Sequence, residues 1–444
     1  MFRWLPCILV VGCYQPELAP GLPCSPDGEC PSGQACVPGA NICVDPEQQS
    51  ATSDASPTPD TPDLGPDATP ASGNDSCTDV FPSPLTNLAR CDIPTPGPTL
   101  TLGAGEWSLS TDDLSLTGPD AAAITATTLT QDGGPELAVV VAESIEIADG
   151  ATVRVTGSRP LVLLAATSLS VAGVIDASAD LEIPGPGGTV SCIAGSGADG
   201  QTQSITGSVT VEGGSGGGGG GFGGQGGTGA IVNQSVGALP SAGGASDGGP
   251  QLAPLTGGCA GGAGGNGGGP GGGGGGAVQL SAVGAVTVTS TGVIDTAGGG
   301  GQATPPVADF TAAGGGGGGS GGAILLEGTQ VTVAGLLAAN GGSGACGKFY
   351  DSSVPGSDGS NTATPSPGVS GTNINSGPGG AGSAGSAVDG SAGSEGTSFV
   401  SAPGCTSFCF NIPAGGGGGG GGVGRIRIEG SAVDLTGLVT PAPQ

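Results

Sequence analysis

The sequence predicts an all-β protein, a right-handed parallel β-helix interrupted by glycine-rich loops and preceded by a disordered linker and a small disulfide-rich knob. Three observations lead there: an alternation of apolar residues that recurs along the chain, 100 glycines and 37 prolines among 444 residues, and no long segment with a 3.6-residue period.

The repeat comes first. "LVLLAATSLSVAGVIDAS" from Leu161, "AVQLSAVGAVTVTSTGVIDTA" from Ala277, "AILLEGTQVTVAGLLAAN" from Ala323 and "RIRIEGSAVDLTGLVTPA" from Arg425 align with one another. Each holds an apolar pair spaced by two, a break, a second such pair, a glycine and a third pair. Val162/Leu164, Val278/Leu280, Ile324/Leu326 and Ile426/Ile428 therefore occupy one face of successive strands. Leu169/Val171, Val286/Val288, Val331/Val333 and Val433/Leu435 do so in the next strand. Gly173, Gly292, Gly335 and Gly437 open the third strand, where a positive φ would turn the corner. "AVVVAESIEIADGATVRVTG" from Ala138 has the same alternation without a glycine run in front. A sandwich of hairpins is the rival, but no Asn-Gly or Asp-Gly turn separates the strands.

Glycine fills the long excursions between repeats, as in "GGCAGGAGGNGGGPGGGGGGA" at 257–277. Ordering one residue costs about 1–2 kcal/mol, and a bare glycine buries little in return. Such runs are either flexible linkers or polyproline-like strands lying side by side, joined through backbones that only a residue without Cβ lets approach.

The N-terminus, "MFRWLPCILVVGC", resembles a bacterial lipoprotein signal: Arg3, an apolar run too short to span a bilayer, small residues, then Cys13. The resemblance implies cleavage after residue 12 and lipidation of Cys13. Tyr14, rather than aspartate, follows it and implies the outer membrane.

Residues 13–44 hold Cys24, Cys30, Cys36 and Cys43 among Gly and Pro, a pattern for two disulfides of open connectivity rather than zinc, since there is no CxxC pair and no histidine. Residues 45–76 carry seven acidic residues, six prolines and no basic residue, which reads as an extended, solvated linker. It could reach about 100 Å. Cys77 and Cys91 are expected to pair in a cap segment, 77–137, ahead of the glycine-rich β-helix domain at 138–444. Cys192, Cys259, Cys346, Cys405 and Cys409 lie in the excursions, where disulfides would tether loops; their odd number leaves one thiol free or bonded to another chain.

A formal charge of −29 argues against nucleic acid and anionic lipid as partners. Catalysis is poorly provided for. From residue 98 onward only Arg154, Arg159, Lys348, Arg425 and Arg427 are basic. Arg425 and Arg427 alternate with Ile426 and Ile428 and should point outward beside Glu429. Asp176 and Asp295 occupy equivalent places in "GVID", but their counterparts are Ala338 and Thr440, so an Asx turn is expected rather than a carboxylate ladder. "GSGAD" at 195–199 is only a fragment of a calcium nonapeptide. "GGSGGGGGGFGGQGG" lacks the Lys-Ser/Thr of a phosphate loop. No cofactor and no metal is expected. Tyr350, Phe349, Phe408 and Phe410 could serve a carbohydrate-binding face if they were exposed together. Pro441 and Pro443 should shield the last strand from pairing with another molecule.

Together, the signal, the four-cysteine knob, the acidic linker and above all "GGGGGGSGGAILLEGTQVTVAGLLAANGG" resemble surface lipoproteins of myxobacterial type. That likeness implies location and architecture, not a reaction. The expectation is a non-enzymatic, lipid-anchored protein of the outer-membrane surface, displaying a β-helical rod to surface glycans or neighbouring cells. A carbohydrate-binding module, or a polysaccharide lyase or hydrolase built on a β-helix, is the alternative.

Overall fold

The computed structural model describes residues 35–37, 42–44, 81, 85–120, 123–189, 192–205, 211–232, 239–305, 312–348, 353–371, 376–396 and 414–444. The chain divides into two compact units, Met1–Asn74 and Asp75–Gln444. In the first, β1 (Ala35–Val37) and β2 (Ile42–Val44) pair antiparallel with Cys36 opposite Cys43. Cys13, Cys24, Cys30 and the acidic linker lie outside the described residues.

The second unit is nearly all β. Its first strands are β3 (Leu100–Leu102), β4 (Gly105–Ser110), β5 (Ser115–Thr117) and β6 (Ala126–Leu129). Then come β7 (Leu137–Ala142), β8 (Ile145–Ile147) and β9 (Ala151–Thr156), followed by β10 (Leu161–Ala165), β11 (Leu169–Val171) and β12 (Val174–Asp176). A small antiparallel pair, β13 (Thr202–Ile205) and β14 (Val211–Gly214), separates these from β15 (Ala277–Ala282), β16 (Ala285–Val288) and β17 (Val293–Asp295). The last are β18 (Ala323–Val333), β19 (Leu336–Ala338), β20 (Arg425–Leu435) and β21 (Leu438–Thr440).

These strands stack in parallel. One ladder runs β7, β10, β15, β18, β20; a second runs β3, β8, β11, β16 into the far halves of β18 and β20; a third runs β4, β9, β12, β17, β19, β21. From β15 onward the registers match the repeat alignment: Val278 lies opposite Ile324, and Ile324 opposite Ile426. The first copy is one residue out: Val278 and Leu280 lie opposite Leu161 and Leu163, while Val162 and Leu164 belong to the core on the other face, because a strand apolar at every position carries no alternation to fix its face. The segment from Ala138 is a full layer of the stack, and β3 and β4 extend the same sheets upstream to Leu100. Antiparallel pairing within the sheets is confined to the β4–β5 and β6–β7 pairs near this first layer. Ile324, Leu326 and Ile426 are fully buried in one core with Leu169, Val286 and Leu337, and Ile428 packs against it. Burying such side chains contributes about 1.5–3 kcal/mol each.

The corner glycines act differently from expectation. Gly173, Gly292, Gly335 and Gly437 are not among the glycines with left-handed φ. A Cβ on each would instead lie 2.0–2.3 Å from a carbonyl oxygen of the preceding layer. Close stacking, not backbone handedness, requires glycine there.

The glycine runs are ordered and lie side by side. Every backbone N–H from Gly314 to Gly322 donates to another segment at 2.8–3.3 Å. The acceptors follow a strict three-residue cycle: Gly314, Gly317 and Ser320 reach Gly265, Gly262 and Cys259; Gly315, Gly318 and Gly321 reach Gly416, Gly419 and Gly422; Gly316, Gly319 and Gly322 reach Gln302, Gly299 and Thr296. Three directions in three residues is the symmetry of a polyproline II helix. A collagen chain faces its axis once per turn and so needs glycine at every third position. This segment has neighbours on all three sides, so nearly every position must lack a side chain. The runs 214–221 and 415–424 are buried in the same way, and the cycle closes from Gly217 to Gly315, to Gly416, to Gly214. Each bond contributes about 1 kcal/mol net, which offsets much of the ordering cost. The bundle also feeds the stack, since Gly276, Gly322 and Gly424 run directly into β15, β18 and β20.

A second, smaller core covers the outer face of β7, β10, β15 and β18 with Phe81, Leu88, Ile93, Leu252 and Leu255. For this reason β7, β10 and β15 are buried at every position rather than at alternate ones.

Candidate functional site

The strongest cluster of ionisable groups lies on the third ladder. Parallel register places Arg154 beside Asp176, and Asp176 beside Asp295, with Ala338 and Thr440 continuing the column. Asp176, Asp295, Ala338 and Thr440 form the column expected from the repeat alignment, and Arg154 joins it from the preceding layer. Arg154 Nη1 forms an ion pair with Asp176 Oδ2 at 2.7 Å and donates to Ser178 Oγ at 3.1 Å. Asp176 Oδ1 accepts from Ser178 N (3.1 Å) and Oγ (2.6 Å), and Asp295 Oδ1 accepts from Ala297 N at 2.9 Å. Both aspartates thus make the expected Asx turns; Asp176 is paired with Arg154, and Asp295 stands one strand further along the column.

Burial pushes the Asp295 carboxyl up to about 7, and the negative charges of Asp176 and Asp358 add to the shift, while the Ala297 N–H and Arg154 oppose it. The folded chain then holds a proton that the unfolded chain loses near the ordinary value of 3.8. Stability therefore falls as pH rises from about 4 to about 7 and is level above that. Asp295→Asn keeps the turn acceptor and removes the charge. It is expected to stabilise the protein at pH 8 by about 2 kcal/mol, a value discounted for the residue's contact with solvent, and to change nothing below pH 4. Thermal melts across that range check both limits.

The other cations are committed to structure. Arg159 pairs with Glu136 (3.1 Å) and Asp112 (3.4 Å), and hydrogen bonds from Ser158 hold the Asp112 carboxyl below its usual range. Arg427 bridges to Glu429 and donates to the Gln251 carbonyl, while Arg425 reaches Gln444 and Ser246. Lys348 is buried, with its backbone in the glycine bundle between Ala313 and Gly415.

A pocket of about 360 Å³ lies where β18 and β20 turn, lined by Phe81, Leu85, Glu327, Thr329, Glu429 and Ser431, among others. Sequence reasoning passed over Glu327, which is only 6% exposed. Its oxygens accept from Gln279 Nε2 (2.7 Å), Ser281 Oγ (2.7 Å) and Thr86 N (3.1 Å). Gln279 also donates to the Thr86 carbonyl and accepts from Asn87. The network fastens the chain at 86–87 to β15 and β18, so Glu327 is spent on structure. The available signal was Gln279 and Ser281, polar residues set within an otherwise apolar strand.

Cys192 and Cys259 form a disulfide, as expected of a loop tether. They also stand with Asp247 as the one group of metal-ligating type among the described residues, but both sulfurs are bonded to each other and a single carboxylate remains. Cys346 is a free, buried thiol, and burial raises its pKa. Cys91 is disulfide-bonded; Cys77, Cys405 and Cys409 lie outside the described residues, as do Phe349, Tyr350, Phe408 and Phe410. Asp199 of "GSGAD" accepts from Ala263 N at 2.9 Å, tying that segment to the bundle. No protein-family model matches the chain, and no curated protein or solved structure matches it.

Proposed function

We propose that this chain is a non-catalytic, lipid-anchored protein of the outer-membrane surface. In this reading the three parallel ladders are a right-handed parallel β-helix, and the helix with its glycine bundle is a stiff rod held out from the membrane on the acidic linker. The observation that supports a structural role most directly is the saturated glycine bundle, whose interior is backbone bonded to backbone and holds few side chains to act on a substrate. The lipobox-like sequence ending in Cys13 and the charge of −29 favour display outside the cell over contact with nucleic acid. Surface glycans or neighbouring cells are the partners such a rod would meet.

Cys13→Ala is expected to move the protein from the membrane fraction to the soluble fraction. Cells lacking the protein should lose binding to glycans or to neighbouring cells, and protease added outside intact cells should remove the wild-type domain. Unchanged fractionation would refute the anchor; unchanged adhesion would refute the role.

A second reading follows from Arg154, Asp176 and Asp295. An ion-paired carboxylate, Asp176, beside a second carboxyl, Asp295, whose pKa burial raises to about 7, is a set that polysaccharide cleavage can use. Loss of glycan cleavage in Asp295→Asn and in Arg154→Ala would establish it over the structural role.

A further inference from the structure

The pocket beside β18 and β20 arises from a mismatch at one corner of the stack. Ser281 lies opposite Glu327 and Ala285 opposite Gln330, so β15 and β16 are joined by residues 282–284 where β18 turns on Gly328 and Thr329 alone. The next layer repeats the shorter corner with Gly430 and Ser431. Small residues there fill little of the space, while Phe81, Leu85 and Val283 give the cavity an apolar wall. Its volume of about 360 Å³ falls within the range of small-molecule sites, about 300–1,000 Å³.

The bonds that hold Glu327 leave one property unused, its charge. Thr86 N, Gln279 Nε2 and Ser281 Oγ are all neutral donors. They fix the carboxylate and occupy about three of its four acceptor positions, yet bring no positive charge to a side chain only 6% exposed. Glu429 lies opposite Glu327 in register and has Arg427 as its counter-ion. Among the described residues Glu327 makes no ion pair. A buried carboxylate is costly until a cation meets it, and both acids line the cavity.

We propose that this pocket binds an amino sugar through its ammonium group. Glu327 and Glu429 receive the ammonium, the apolar wall meets the C–H face of the ring, and the exposed Ser431 stands at the mouth for its hydroxyls. The amine follows from the pocket itself; that a sugar carries it rests on the surface-glycan reading above. A divalent cation fits less well. Calcium takes about six to eight oxygen ligands, whereas the Glu327 oxygens are mostly committed and Arg427 stands beside Glu429. A chain of charge −29 also draws cationic ligands and repels acidic ones.

Isothermal titration calorimetry of glucosamine into the full chain carrying Cys13→Ser, at neutral pH, tests the proposal. Saturable binding is expected, with glucose and N-acetylglucosamine, which lack the positive charge, weaker by about tenfold or more. Glu327→Gln removes the charge, and Ser431→Trp fills the mouth from an exposed position; each should lower the affinity about tenfold or more. Denaturant melts identify a variant that fails to fold, and Ser431→Trp, on the surface, keeps the test decisive if Glu327→Gln does so. Absence of glucosamine binding, equal binding of glucose, or affinity unchanged in the folded variants overturns the proposal. So does displacement of glucosamine by calcium chloride. Butylamine bound as tightly as glucosamine overturns the sugar assignment. The surface role fails separately, on unchanged adhesion of cells lacking the protein, a result that leaves the calorimetry of the purified chain as it stands.

Discussion

Gly317→Ala is expected to unfold the glycine bundle, at a cost of about 4 kcal/mol or more. A Cβ at this position would sit 1.9 Å from the Gly218 carbonyl oxygen and 2.5 Å from its carbon, both of them backbone atoms that no rotamer change can move. The segment cannot rotate away, because its three sides are already bonded to three neighbours in turn. Shifting it would break the bonds of Gly314 through Gly322 together, which is why the loss should exceed that of an ordinary overpacked core. Gly249→Ala is the control: nothing lies within 4 Å of the added atom, and a change within about 0.5 kcal/mol is expected. Denaturant melts of the two variants decide the matter. If Gly317→Ala melts like the wild type, the runs are not packed as described.

Replacing both Cys192 and Cys259 by alanine should cost about 4 kcal/mol, since the bridge closes a loop with a sequence separation of 67. The loop contains β13, β14 and the glycine run at 216–221, so the bond constrains the unfolded form of the segment that glycine makes most costly to order. Cys259 also lies within the bundle: its carbonyl accepts from Ser320 N at 2.9 Å and its N–H donates to Ser320 Oγ at 2.8 Å. Unfolding the double variant in denaturant, beside the wild type with and without reductant, measures the effect. A loss below about 1 kcal/mol would mean that the bundle orders this loop without the bridge. Cys346, buried and with a raised pKa, should stay unmodified by thiol reagents until the protein unfolds.

Much of the strand architecture was legible because spacing by two is a local signal. The pairs at Val278/Leu280, Ile324/Leu326 and Ile426/Ile428 were readable as one face, and the pairing registers follow that alignment. So does the run from Asp176 through Asp295 and Ala338 to Thr440. Features that arise between layers were harder to read. Gly173 and Gly335 look like turn glycines from sequence, and only a carbonyl of the preceding layer reveals them as close-approach positions. The first layer, β3 and β4, has no glycine run before it and so carries no mark of the repeat. Arg154 and Asp176 are separated by 22 positions in the chain and meet only because neighbouring layers stack. Glu327 reads as a solvated acid until the segment at 85–88 is laid over it. The direction of the glycine hydrogen bonds is invisible in a run of identical residues, since nothing in the letters marks which side each N–H faces.

An interior made largely of peptide groups has a thermal consequence. Exposing apolar surface raises the heat capacity of unfolding, and exposing peptide surface lowers it. Unfolding the three buried glycine runs releases mostly the second kind. The heat-capacity increment per residue should then fall below the usual 12–15 cal/mol/K, giving a shallow stability curve. Hydrophobic cores weaken on cooling; a scaffold braced by amide-to-carbonyl contacts would keep its strength in the cold as readily as in warmth.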